Sequence, residues 1–113
     1  MTARLRADLW CAAFVRRHND LGHICVISRR GDPVAGQVWV ELDHLNGTHS
    51  LFGPAPSILA GEDEGRVFQR RFDRVERSKI QERLEREASF DPDFWIISLE
   101  LRQGDIGLTT VEG

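Results

Sequence analysis

Cysteine is scarce in this chain of 113 residues, and so are the side-chain patterns that usually build catalytic or metal sites. Its two cysteines, Cys11 and Cys25, stand among apolar neighbours and form no CxxC pair. They therefore give no zinc site and indicate buried free thiols in a reducing compartment, so we expect a cytoplasmic protein. No serine or cysteine stands beside a histidine in a nucleophile motif.

Long hydrophobic runs and an excess of positive charge are also missing. The apolar stretch from Leu9 to Val15 is too short to span a membrane and carries no signal-cleavage pattern. The net charge is −3 and Lys79 is the single lysine, so the overall charge gives no reason to expect nucleic acid. The length and the 41% hydrophobic content predict one domain over residues 1–113, with a loosely ordered tail over 104–113.

The hydrophobic periodicity predicts two helices and about five strands. Apolar residues recur at helical spacing over 4–21, with His18 on the opposite, polar side, and a second helix follows a capping box at 78–81 and runs to about residue 88. Strands are predicted over 24–28, 37–45, 48–52, 66–72 and 94–101, and an acidic loop over 61–65. The resulting α+β fold has the order α-β-β-β-β-α-β, with two layers, a mostly antiparallel sheet and both helices on one face. The strand over 94–101 is expected to insert centrally in the sheet.

A hairpin that turns at Asn46-Gly47 is the strongest local signal, because both central residues of a type I′ turn need a positive φ. A two-residue turn there places His44 directly opposite His49, close enough for both imidazoles to share one divalent metal. No further ligand lies nearby on the same face. The pattern favours a structural histidine pair, with a metal-dependent hydrolase as the alternative.

The other face of the predicted hairpin carries an aromatic and acidic stripe. Trp39, Glu41 and Phe52 belong to it, and Trp39 and Phe52 are expected to lie diagonally across the two strands. If no helix covers this face, the stripe is an exposed patch typical of a protein or dimer contact. If the second helix covers it, the same residues form core.

Arginines cluster after the acidic loop. On one predicted strand, Arg66 and Arg70 share a face with two phenylalanines, a mixture that single-strand nucleic-acid binders also use. Arg71 and Arg74 extend the segment, but carboxylates alternate with these cations. The pattern favours a salt-bridged surface, with nucleic-acid binding as a further alternative.

Several short motifs, spread over nearly the whole chain, resemble those of the domain of unknown function 1491 family, small single-domain proteins of alphaproteobacteria. They are Leu5-Arg6-Ala7-Asp8-Leu9-Trp10 with Ala13 and Arg16-Arg17, Arg30-Gly31-Asp32 with Ala35-Gly36, Leu45-Asn46-Gly47, Gly53-Pro54, and Phe90-Asp91-Pro92-Asp93-Phe94-Trp95. The resemblance implies a bacterial cytoplasmic protein and brings no activity, cofactor or site residue with it. Each motif can be given a fold-specifying role.

The leading hypothesis is therefore a small non-enzymatic binding module without a cofactor. We expect a protein partner or self-association through the hairpin face, and neither nucleic acid nor a membrane as a ligand.

Overall fold

The computed structural model describes residues 5–56 and 65–112. Residues 61–64 of the predicted acidic loop lie outside the described residues. The elements, in chain order, are α1 (Ala7–Asp20), β1 (Ile24–Arg29), β2 (Val38–Asp43), β3 (His49–Pro54), β4 (Val67–Val75), α2 (Arg77–Phe90), β5 (Trp95–Glu100) and β6 (Thr109–Val111). None of the described helices is long and apolar enough to cross a membrane.

All six strands form one sheet in the order β1-β5-β2-β3-β4-β6. β5 is antiparallel to β1 but parallel to β2, and β6 is parallel to β4. The sheet is therefore mixed, which corrects the prediction of about five mostly antiparallel strands. The physical reason is that α2 works as a crossover between β4 and β5, which lets β5 return in the same direction and enter the interior of the sheet. This strand is inserted between two others as predicted, but it lies second of the six strands and not at the centre.

The two helices pack on opposite faces, so the prediction that both lie on one face of a two-layer fold is wrong. On the α1 face, Val38, Val40 and Leu42 of β2 join a cluster with α1. On the α2 face, Trp39 of the same strand joins a second cluster with Ile80 of α2. Because successive residues of β2 are apolar on both sides, this strand is buried between two layers.

The buried side of α1 differs from the predicted stripe. Ala7, Cys11, Phe14 and His18 recur at helical spacing and face the sheet, whereas Leu9, which the apolar periodicity assigns to the same stripe as Phe14, is about half exposed. His18, predicted on the polar side, is only 1% exposed. The hydrophobic pattern assigned His18 to the polar side because histidine is a polar residue. An imidazole can nevertheless lie in a core when both of its ring nitrogens have hydrogen-bond partners.

The hairpin between β2 and β3 has a longer turn than predicted. Asp43 stands opposite His49, and the amide of His44 donates to the carbonyl of Thr48 at 3.1 Å. Positive φ occurs at Leu45 and Gly47 instead of at the two central residues of a type I′ turn. The pairing is therefore shifted by one residue relative to the prediction, and such a shift moves side chains of the strand to the other face of the sheet.

The segment predicted as a loose tail is tied into the fold as far as the described residues go. β6 pairs with β4, and Ile106 and Leu108 pack against the α1-face cluster. Short apolar residues spaced along this polar segment were too few to predict a strand.

Candidate functional site

Trp39 and Phe52 do not form an exposed patch, which corrects the first predicted site. Each is 2% exposed, and they belong to different clusters on opposite faces of the sheet. The shifted hairpin register pairs Phe52 with Val40 and turns it to the α1 face. Trp39 lies under α2, with the guanidinium of Arg83 at 4.8 Å from its ring centroid. Of the predicted patch, only Glu41 is partly accessible.

The two hairpin histidines are separated by the same shift. His49 lies in the row of Asp43 on the α2 face, whereas His44 is buried and its Nε2 lies 2.7 Å from the Ser50 hydroxyl on the α1 face. Burial lowers the pKa of His44, and the nearby Arg74 lowers it further, so the neutral ring is favoured. Within residues 5–56 and 65–112, no group of three or more His, Cys, Asp or Glu is placed to hold a metal ion.

His44, Ser50 and Asp73 come together in an arrangement that looks catalytic at first sight. In a catalytic triad the carboxylate orients the imidazole, which activates the serine. Here Asp73 instead lies 3.4 Å from the hydroxyl of the serine, so the three groups are not arranged to activate a nucleophile. The Ser50 hydroxyl also accepts the backbone N–H of Arg74 at 3.1 Å and is almost inaccessible. Arg74 has a φ of 53°, so this bond holds an unusual backbone conformation where β4 bulges. The cluster is structural.

The arginines predicted to form one basic segment do not share a face, because the pairing of β4 with β3 shifts register at two points. Leu51 pairs with Phe72 while the adjacent Phe52 pairs with Arg70, so an extra residue of β4 reverses the side to which later side chains point. Arg70 consequently lies over Phe52 on the α1 face, whereas Arg71 lies over Trp39 on the α2 face.

Arg66 precedes β4 and is buried. Its guanidinium donates to the carbonyls of Gly36 and Leu5. Together with the split of Arg70 and Arg71, this leaves no single basic surface made by Arg66, Arg70, Arg71 and Arg74 within the described residues.

A histidine pair that the sequence did not predict joins α1 to the C-terminal segment. His18 Nε2 lies 2.7 Å from the carbonyl of Ile106, and because a carbonyl only accepts, this nitrogen carries the hydrogen. His18 Nδ1 then accepts from Nδ1 of His23 at 2.9 Å. Burial lowers the pKa of His18, which keeps the ring neutral. The one feature of the sequence that indicates a buried His18 is that it lies at helical spacing from Phe14 and Cys11.

Three of the motifs that carry the family resemblance, those around Ala7, Asp32 and Trp95, pack against one another at the start of α1 and β5. The Asp32 carboxylate accepts the backbone N–H groups of Val34 and Ala35, and the Asp32 carbonyl accepts the indole N–H of Trp95 at 2.8 Å. A Cβ at Gly31 would collide with the backbone of Asp93. The predicted fold-specifying roles of these residues agree with these contacts.

The most open part of the sheet lies on the α2 face, beyond the reach of α2. Two rows of side chains cross neighbouring strands there: Ile24, Glu100, Asp43 and His49 in one row, and Val26, Ser98 and Glu41 in the next. We call these seven residues the open region. They line most of a hollow of about 210 Å³, to which Arg77 at the start of α2 contributes the one arginine.

The apolar members of the open region are well exposed. Ile24 is 60% exposed and Val26 is 51% exposed, although both are in a strand. A second hollow of about 320 Å³ adjoins the first, shares Ile24 and Glu100 with it, and adds the exposed Leu45. Exposed apolar groups bordered by charged ones are typical of a contact surface for a macromolecule.

The three carboxylates of the open region outnumber the arginines nearby, which are Arg77 in the same hollow and Arg102 in the adjoining one. Asp43 stands directly beside Glu100 on the parallel strand, with Glu41 one row away. Among the described residues, none of the three forms a salt bridge. Like charges on adjacent strands destabilise a sheet, so this arrangement does not serve folding.

Comparison with known proteins gives a consistent result. The model of a family described as "Protein of unknown function (DUF1491)" matches residues 5–109. The solution structure of protein Atu0922 from Agrobacterium tumefaciens is 31% identical, with a TM-score of 0.84 and 97% of each chain covered. The crystal structure of a DUF1491 family protein from Caulobacter crescentus is also 31% identical, with a TM-score of 0.77, covering 96% of this chain and 97% of that one. No curated protein matches the chain.

Proposed function

The chain belongs to the DUF1491 family of proteins of unknown function, and we propose that it acts as a non-enzymatic module that binds a protein partner through the open region. The exposure of Ile24 and Val26 beside three carboxylates carries this proposal. The neighbouring part of the α2 face, around Trp39 and Leu51, is covered by α2, so the open region begins where this covering layer stops.

The chemistry of the open region favours binding over catalysis. Its serine, Ser98, has its hydroxyl 3.0 Å from that of Ser28, so the partner of this hydroxyl is not a base. The two cysteines lie on the α1 face, where burial raises the pKa of the Cys11 thiol to about 12 and that of the Cys25 thiol to about 11. Thiols with such pKa values are poor nucleophiles near neutral pH.

A partner of different sequence fits better than a second copy. A symmetric dimer through the open region would place Glu41, Asp43 and Glu100 of one chain near the same carboxylates of the other. Like charges brought together at an interface oppose association. Self-association through this surface is therefore the weaker candidate, and the following experiment separates the two.

A photo-cross-linking residue placed at Val26 tests the proposal in cells that naturally express the protein. We expect one discrete adduct with another protein, and none from the matched position Lys79 on the solvent side of α2, which is also exposed. The partner identified in the adduct is then purified, and Val26→Asp is expected to weaken its binding at least about tenfold while leaving the thermal unfolding midpoint of the chain nearly unchanged.

Three results would contradict the proposal. They are the absence of a discrete adduct from position 26, the same adduct from position 79, and an adduct with the mass of two copies of the chain. A binding constant unchanged by Val26→Asp would equally place the partner elsewhere on the molecule.

A further inference from the structure

The open region has the dimensions of a helix that residues 5–56 and 65–112 do not supply. α2 starts just after Val75, which pairs with His49, and leads to the start of β5, where Trp95 pairs with Val38. It therefore crosses the sheet diagonally and leaves β1 and the far ends of β5 and β2 uncovered. Two strand spacings span about 10 Å, the diameter of an α-helix with its side chains.

From this geometry we infer that the segment bound by the open region is a basic amphipathic α-helix that lies beside α2. The inference rests on the proposed function and specifies the chemistry of the partner. Three further observations support it, concerning the edge of β1, the spacing of the apolar groups and the charge.

An extended segment is disfavoured because the outer edge of β1 is partly closed. The side-chain amide of Asn19 donates to the carbonyl of Cys25 at 3.0 Å, and its oxygen accepts the Cys25 N–H at 3.1 Å. One side chain thus occupies both backbone groups that a strand added beside this residue would use. A strand lying flat on the face would leave its own backbone groups unpaired, whereas a helix satisfies them internally.

The apolar groups are spaced for a helix. Ile24 and Val26 are two residues apart on one strand, which separates them by about 6.6 Å. Residues i and i+4 of an α-helix are about 6 Å apart along its axis. Two apolar side chains at this spacing therefore contact both residues, and a third one turn further reaches the hollow beside Leu45.

The charge requires basic residues on the partner. Glu41, Asp43 and Glu100 carry three negative charges against the single guanidinium of Arg77 in the same hollow. Arginine or lysine flanking the apolar stripe would relieve the repulsion between neighbouring carboxylates. Association should then weaken as salt is raised.

A synthetic helix tests the inference without knowledge of the natural partner. The probe is a capped peptide of about 14 residues with leucines at i, i+4 and i+7 and arginines on both sides of that stripe. Its matched counterpart carries glutamate in place of each arginine. Fluorescence anisotropy measures binding to the full chain, circular dichroism measures helix formation on binding, and amide chemical shifts map the contact.

Two triple variants separate the open region from general acidity. Glu41→Gln/Asp43→Asn/Glu100→Gln removes the three facing carboxylates, and Glu82→Gln/Glu85→Gln/Glu112→Gln removes three exposed carboxylates elsewhere. We expect the first to weaken binding of the basic peptide at least about tenfold and the second less than about twofold. Shifts should concentrate at Ile24, Val26 and Ser98, and the acidic peptide should bind at least about tenfold more weakly.

The inference is overturned if the basic peptide does not bind, binds without becoming helical, or loses equal affinity in both triple variants. These failures differ from a failure of the proposed function. A partner that cross-links at position 26 through an extended or acidic segment would refute the helix while leaving the interaction module standing. If the peptide binds as described but no protein is cross-linked at position 26, the surface can bind a basic helix while the proposed function in the cell is contradicted.

Discussion

On the α1 face, each strand from β1 to β5 contributes to one apolar cluster, whereas on the α2 face the apolar contacts end partway along β2 and β5. The change occurs within single strands. β2 passes from Trp39, which is covered by α2, to Glu41 and Asp43, which line a hollow. On the other side of the same strand, Val38, Val40 and Leu42 stay buried over the same length.

The difference between the two faces distinguishes residues whose burial stabilises the fold from residues of the open region that contribute little to it. Burying a valine or isoleucine side chain fully stabilises a fold by about 1.5–3 kcal/mol, and Ile24 and Val26, which are 60% and 51% exposed, forgo about half of that gain or more. The adjacent carboxylates Asp43 and Glu100 add a destabilising contact. A surface that holds both features supports the binding role proposed for it.

Truncating the same residue type on each face should show the largest contrast. Val40→Ala removes two fully buried methyl groups on the α1 face and should lower the free energy of unfolding by about 2–3 kcal/mol. Val26→Ala makes the same chemical change in the open region and should cost less than about 1 kcal/mol. Urea unfolding of both variants measures the difference, and equal losses would show that Val26 is packed.

The covered part of the α2 face should resist change as strongly as the α1 face. A Cβ on Gly53 would lie 2.6 Å from the ring of Trp39, which Arg83 and α2 hold in place. Gly53→Ala should therefore lower the free energy of unfolding by about 1–3 kcal/mol.

Because the loss comes from the indole, adding Trp39→Phe should recover part of it, which a double-mutant cycle measures. Additive losses from the two substitutions would mean that the ring and the glycine do not constrain each other.

Acid should act on the α1 face first. Burial lowers the pKa of both His18 and His44, so the unfolded chain binds protons that the folded chain does not. Their contribution to stability is present above the unfolded pKa of about 6.5 and is lost as the pH falls below it, with a slope of at most about 1.4 kcal/mol per pH unit for each histidine. Urea unfolding between pH 7.5 and about 5 measures this slope.

The matched control for the acid effect lies in the open region. His18→Gln should reduce the slope, whereas His49→Gln, on the other face, should retain it. If both variants titrate like the wild type, the buried imidazole of His18 is not the source of the acid sensitivity.

The sequence predicted the elements better than their arrangement. Periodicity located both helices and five of the six strands, because apolar spacing directly reflects the pitch of each element. It could not show that α2 lies on the face opposite α1, since Trp39 is compatible both with an exposed patch and with a core. The sequence analysis placed Phe52 on the wrong face because the turn is one residue longer than predicted. It did not separate the arginines onto two faces because it did not predict the bulges of β4.

The open region was beyond prediction for a related reason. Its members come from β1, β2, β3 and β5, and they meet only because β5 lies between β1 and β2. Glu41 was identified because the alternation of β2 is a local pattern. Ile24 and Val26 belong to a predicted strand whose two faces the sequence does not distinguish, and the diagonal course of α2 leaves them exposed.

The smallest expected effect concerns the edge that separates the two faces. Asn19→Ala removes both hydrogen bonds to Cys25 and should lower the free energy of unfolding by about 1 kcal/mol, because the net contribution of a hydrogen bond to stability is small even where, as here, it is partly buried. The freed backbone groups of β1 should also allow edge-to-edge pairing, so sedimentation should show more self-association than for the wild type. Asn46→Ala, which removes turn hydrogen bonds of the hairpin instead, is the control and should not associate. Self-association of both variants would mean that Asn19 does not protect the edge, and strand addition at β1 would then compete with a helix as the way a partner binds.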